Sequence, residues 1–131
     1  MTLNLGHTIG HGIEAAAGYK SMMHGEAVAY GLRGAFAMSV AMGLTSAERA
    51  DRVNRLLDRL GLGVEPPAVD RETVLEHMAR DKKHAIGKLS WVLPTETGVV
   101  VTTDVPPAAV EAGLAAALRY GVVSPAKEGA V

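Results

Sequence analysis

Residues 27–44, AVAYGLRGAFAMSVAMGL, are apolar on almost every side and hold a single charge, Arg33, near the middle. The run is short for a membrane span, rich in Gly and Ala, and an arginine at its centre is costly in a bilayer. A helix buried on most sides inside protein fits it better, because a helix without a polar face must be surrounded by other elements. The spacing of Val28, Leu32, Ala35, Phe36 and Val40 predicts such a helix from His24 to about Met42, ended by Gly43. Whatever else the chain forms has to pack around it.

The flanking segments read mostly as amphipathic helices. His7 to about Ala17 carries Ile9 and Ile13 four apart, with Gly18 as a natural stop. Thr45 and Glu48 match a Thr-x-x-Glu capping box ahead of a third helix, which presents Val53, Leu56, Leu57 and Leu60 on one face. Arg49, Asp51, Arg52, Arg55, Asp58 and Arg59 form its solvated face. GLGVEPPAV (61–69) interrupts the pattern, since its prolines and glycines cannot continue a helix. Asp70 is a natural N-cap for a helix over 71–81 that turns Val74, Leu75 and Met78 inward. KLSWVL (88–93) and GVVVTTD (98–104) are β-rich runs around PTET, and Pro106 and Pro107 open a last helix to about Tyr120. The expected fold is therefore mainly α: a multi-helix domain over residues 1–121 with a short β-hairpin or strand pair, and a frayed tail at 122–131. No βαβ unit and no Gly-rich turn after a strand is visible, so nothing resembles a nucleotide-binding fold.

A net charge of −1 over 131 residues gives no electrostatic reason to expect nucleic acid or an anionic membrane as partner. The absence of cysteine excludes disulfides and thiolate metal sites. The start of the chain lacks the basic and apolar regions of a secretory signal, so a cytoplasmic location is expected.

Three of the five histidines fall within the first 24 residues. His7 and His11 stand at i and i+4, so both imidazoles project from one helix face. That spacing suits two contacts to one small site, either a metal and a substrate or two bonds to one metal. His24, across a short loop, can fold back onto the same spot, and neutral imidazole is a good zinc ligand. Spacing alone leaves ordinary surface or core histidines as the alternative, and Thr8 stands where a zinc-protease HExxH helix needs its Glu. Asn4 and the glycines at 6, 10 and 12 favour a site, because glycines near a helix start allow close approach to a ligand. Further along, ARDKKHAIGK (79–88) clusters Arg80, Lys82, Lys83 and Lys88. These are either cations at a helix carboxyl end or an anion-recognition group. His77 and His84 suggest no partner.

LNLGHTIGHGIE, then HGEAVAYG, then DKKHAIGKLSWVL resemble, in order and spacing, the carboxyl-terminal domain of the 3-dehydroquinate synthases, within the sugar phosphate cyclase family. The resemblance covers about residues 3–103, and the DKK…GKL segment tips it toward the dehydroquinate branch. It implies an enzyme that converts 3-deoxy-D-arabino-heptulosonate 7-phosphate to 3-dehydroquinate and phosphate in the shikimate pathway, with Zn²⁺ (or Co²⁺) and NAD as cofactors. By the same resemblance His7 and His24 are metal ligands, and His11 is a proton-transfer and substrate-contact residue. Asn4 and Lys82 bind substrate. A third ligand, a glutamate, and the NAD site belong to an amino-terminal domain with no counterpart in this sequence. The chain then reads as the metal half of an active site, inactive by itself, whose partners are a sugar phosphate, an NAD-binding domain or chain, and a second copy in a homo-oligomer. Sister cyclases of the valiolone or deoxy-inosose type, a non-catalytic helical metal- or partner-binding module, and the metal-dependent alcohol dehydrogenases are the alternatives.

Overall fold

The structure, a computed structural model, describes residues 6–18, 22–84 and 90–120, and for residues 80–84 the backbone alone. Among the described residues the elements run α1 (His7–Ala16), α2 (His24–Ala41), α3 (Ala47–Leu60), α4 (Arg71–His84), β1 (Trp91–Pro94), β2 (Val99–Thr102) and α5 (Pro107–Ala117). The fold is the expected mainly helical one, and the strand pair is an antiparallel hairpin that sets Trp91 opposite Thr102 and Pro94 opposite Val99. The tail expected to fray at 122–131 lies outside the described residues.

The apolar run forms the central helix. α2 buries Ala27, Ala29, Tyr30, Gly31, Arg33, Gly34, Ala35, Phe36, Met38 and Ser39, and α1, α3, α5 and β1 all pack on it. Small residues set how closely they come. A Cβ on Gly34 would sit 3.0 Å from the Gly113 carbonyl oxygen of α5, and one on Gly113 would sit 2.4 Å from Cγ of Met38. The core continues through Ile9 and Ile13 of α1, Val74 and Met78 of α4, Trp91 and Leu93 of β1, and Leu114 of α5. No helix among the described residues is long and apolar enough to cross a membrane.

Several local expectations are corrected. The N-cap of α3 is Ser46, whose Oγ accepts the Arg49 N–H at 3.1 Å. Thr45 is instead buried and donates its hydroxyl to Glu96 Oε2 at 3.1 Å, so no Thr45–Glu48 capping box forms. Of the apolar face read on α3 only Leu57 is buried, while Leu56 and Leu60 are 56% and 61% exposed. The reason is position: among the described elements α3 packs only on α2, at the rim of the domain. Val28 is likewise exposed rather than core. α4 runs three residues beyond 81, to His84, which places Lys82 and Lys83 in its last turn, where the helix dipole favours cations. β2 is shorter than the 98–104 run that predicts it, and Thr95 closes the turn between the strands by donating its N–H to Gly98 O at 2.8 Å.

Arg33 does much more than interrupt an apolar stretch. Its guanidinium, 1% exposed, donates to Asn54 Oδ1 at 3.2 Å, Asp58 Oδ1 at 2.8 Å and the Leu62 carbonyl at 2.9 Å. The next three residues of that loop are tied in turn. Gly63 N–H donates to Glu26 Oε2 at 2.8 Å, Arg119 Nε–H donates to Val64 O at 3.1 Å, and the Tyr30 hydroxyl donates to Glu65 O at 2.6 Å. Burial first, and then the charge of Glu26, raises the Tyr30 pKa and keeps this phenol a donor. The Gly- and Pro-rich loop is thus fixed by side chains of α2 and by Arg119, because its own backbone offers no ladder to satisfy it.

Candidate metal and substrate site

The site is built on the crossing of α1 and α2. Gly6 caps α1 in the left-handed region, φ 76°, which glycine adopts without strain. A Cβ there would also meet the Gly31 carbonyl carbon at 2.5 Å. One turn on, a Cβ at Gly10 would lie 2.8 Å from the Ala27 carbonyl oxygen. At the far end Glu14 meets His24. The order of these contacts makes the two helices antiparallel, with backbones touching where glycines stand. The imidazole at the start of α2 is thereby brought against the last turn of α1.

His7, His11 and Glu14 follow at i, i+4 and i+7 and line one face of α1. With His24, Ala27 and Val28 from α2 they wall a cleft of about 200 Å³. The structure therefore gathers all three histidines singled out in the sequence around one open space. Thr8 is on the buried side of α1, its hydroxyl 3.4 Å from the Ser90 carbonyl, and takes no part in the cleft. Asn4 lies outside the described residues. Lys82 is placed on the last turn of α4 by its backbone only.

The rings of His7 and His11 are stacked, centroids 5.4 Å apart and planes only 6° from parallel. A ring nitrogen's lone pair lies in the ring plane, so two stacked, near-parallel imidazoles do not aim at one ion. This arrangement suits one metal ligand and one neighbour with a different task. Across the cleft His24 Nδ1 lies 3.3 Å from both carboxylate oxygens of Glu14. An ionised carboxylate only accepts, so a hydrogen bond here puts a proton on Nδ1, and in the neutral ring the Nε2 lone pair then stays available for another partner.

Imidazoles on two walls of an open cleft are a suitable partial donor set for a divalent transition metal. Among the described residues, no group of three His, Asp or Glu side chains stands together so as to hold an ion. A complete site needs a further donor. Sequence reasoning named no role for Glu14, although its position seven residues after His7 and on the same helix face was the available signal.

Comparison with known proteins gives a consistent set of matches. Residues 1–84 match the family model of the 3-dehydroquinate synthase C-terminal domain. The chain is 45% identical over 103 residues to a 3-dehydroquinate synthase of Nostoc punctiforme, covering 78% of this chain and 28% of that protein. It is 47% identical over 120 residues to that of Pseudomonas syringae pv. tomato, covering 90% and 33%. With that of Pseudomonas aeruginosa it shares 50% over 115 residues, covering 86% and 31%. The chain thus spans about a third of the length of the curated relatives it matches. Among solved structures, a 2-deoxy-scyllo-inosose synthase complexed with carbaglucose-6-phosphate, NAD⁺ and Co²⁺ superposes with a TM-score of 0.70 at 24% identity. That alignment covers 84% of this chain and 33% of that one and shows a shared fold.

Proposed function

Since the chain belongs to the 3-dehydroquinate synthase family, as its carboxyl-terminal domain, we propose that it supplies the metal- and substrate-binding wall of an active site. That site converts 3-deoxy-D-arabino-heptulosonate 7-phosphate to 3-dehydroquinate and phosphate. The observation that carries this reading is the single cleft shared by His7, His11 and His24. The dehydroquinate branch is preferred because relatives 45–50% identical bear the name 3-dehydroquinate synthase.

In this reading His7 and His24 hold a divalent cation, Zn²⁺ or Co²⁺, from opposite walls, and the third donor comes from outside the described residues. When bound, such a cation polarises the substrate oxygen at the carbon to be oxidised, and NAD, which the solved relative carries, accepts and returns the hydride. His11, stacked on His7 with its ring near-parallel, is the proposed group for moving a proton at a substrate hydroxyl. Asn4 and Lys82 are the proposed substrate contacts, Lys82 through an anionic group. The remaining partners are an NAD-binding domain or chain and a second copy of the protein, and the location is the cytoplasm.

The reaction gives a direct test. The 131-residue chain incubated with substrate, NAD and Zn²⁺ is expected to release no phosphate, since in this reading the NAD site belongs to the amino-terminal domain. Adding the amino-terminal part of a related synthase is expected to produce phosphate release that His11→Ala removes. Turnover by the chain alone, or turnover in the reconstituted pair that survives His11→Ala, contradicts the assignment.

A further inference from the structure

We propose that Glu14 is a positioning residue for His24: it accepts the Nδ1 proton and so turns the Nε2 lone pair into the cleft. The proposal rests on the reading of His24 as a metal ligand and goes beyond it by naming what orients that ligand. Three observations carry it. Both Glu14 oxygens lie 3.3 Å from Nδ1, at the long end of hydrogen bonding but shared evenly. The Glu14 side chain is 14% exposed against 79% for His24, so the anchored group is the carboxylate and the ring is the part that needs holding. Finally, Glu14 stands in the last turn of α1, which has no basic residue there. A helix carboxyl end disfavours an acid, so helix stability does not explain why a carboxylate occupies this position. A carboxylate behind a ligating imidazole fixes its tautomer and raises its basicity, and removing such a partner typically lowers metal affinity about 10- to 100-fold.

The test uses the 131-residue chain as wild type, Glu14→Ala, Glu14→Gln and His24→Ala, with folding checked by circular dichroism. In the metal-free protein at about pH 8, above the ordinary imidazole range, nitrogen-detected NMR reads the His24 tautomer. Wild type is expected to carry the proton on Nδ1, and Glu14→Ala to move it to Nε2. Glu14→Gln, whose amide oxygen still accepts, is expected to keep it on Nδ1. Titration with Co²⁺ up to millimolar, followed at the His24 ring signals, is expected to show affinity about 10- to 100-fold weaker in Glu14→Ala, with Glu14→Gln between the two. A tautomer unchanged in Glu14→Ala overturns the proposal and leaves the metal reading standing. So does an unchanged Co²⁺ affinity in that variant. Wild-type His24 signals untouched by Co²⁺, or a Co²⁺ affinity unaffected by His24→Ala, overturn the metal reading and the proposal with it.

Discussion

Gly31→Ala is expected to cost about 3 kcal/mol or more of folding stability, the upper end for overpacking a well-filled core. In a helix interior alanine is ordinarily favoured over glycine by about 1 kcal/mol, so propensity alone predicts the opposite sign. The structure decides it. The new Cβ would lie 2.2 Å from the Gly6 carbonyl oxygen and 3.1 Å from the Gly10 backbone, and neither obstacle is a flexible side chain that can swing aside. Relief requires α1 to move off α2, which also separates Glu14 from His24. Gly25→Ala in the same helix is the control, because nothing lies within 4 Å of its Cβ. Urea unfolding of the two variants checks this. Gly31→Ala should shift the midpoint sharply down, and Gly25→Ala should leave it unchanged or slightly raised.

Arg33→Ala is expected to destabilise the domain by about 3 kcal/mol, from lost packing of a buried large side chain together with a stranded acceptor. Asp58 contributes little to that cost, because it is half exposed and water can replace its partner. The Leu62 carbonyl and the cavity carry most of it. Arg33→Met refills part of the volume without supplying donors, so the difference between the two variants in urea separates packing from hydrogen bonding. Both should also loosen residues 62–65, which amide hydrogen exchange detects at Gly63.

These two positions show what the sequence made legible and what it hid. The apolar run at 27–44 announced a central buried helix, because that signal is periodic and local. The spacing of His7, His11 and His24 allowed a shared site but left ordinary histidines as the alternative. Arg33 was visible only as an obstacle to membrane insertion. Its role depends on a loop that comes 29 residues later in the chain. The apolar face of α3 misled for a related reason, since periodicity gives the face but not whether a neighbour covers it. Thr45 and Ser46 are adjacent and both able to cap, and a carboxylate 51 residues away engaged the first. Glu14 was hidden in plain view, on the helix face of the histidines but with a partner on another helix.

Zinc binding to the 131-residue chain, measured by calorimetry on wild type, His7→Ala, His11→Ala and His24→Ala, tests the assignment of the cleft most directly. Binding lost in His7→Ala and in His24→Ala but kept in His11→Ala is the expected result, as two walls of one cleft and a stacked, non-ligating neighbour require. Binding that survives His7→Ala and His24→Ala would show that these imidazoles do not share an ion, and would contradict the metal site on which the proposed function stands.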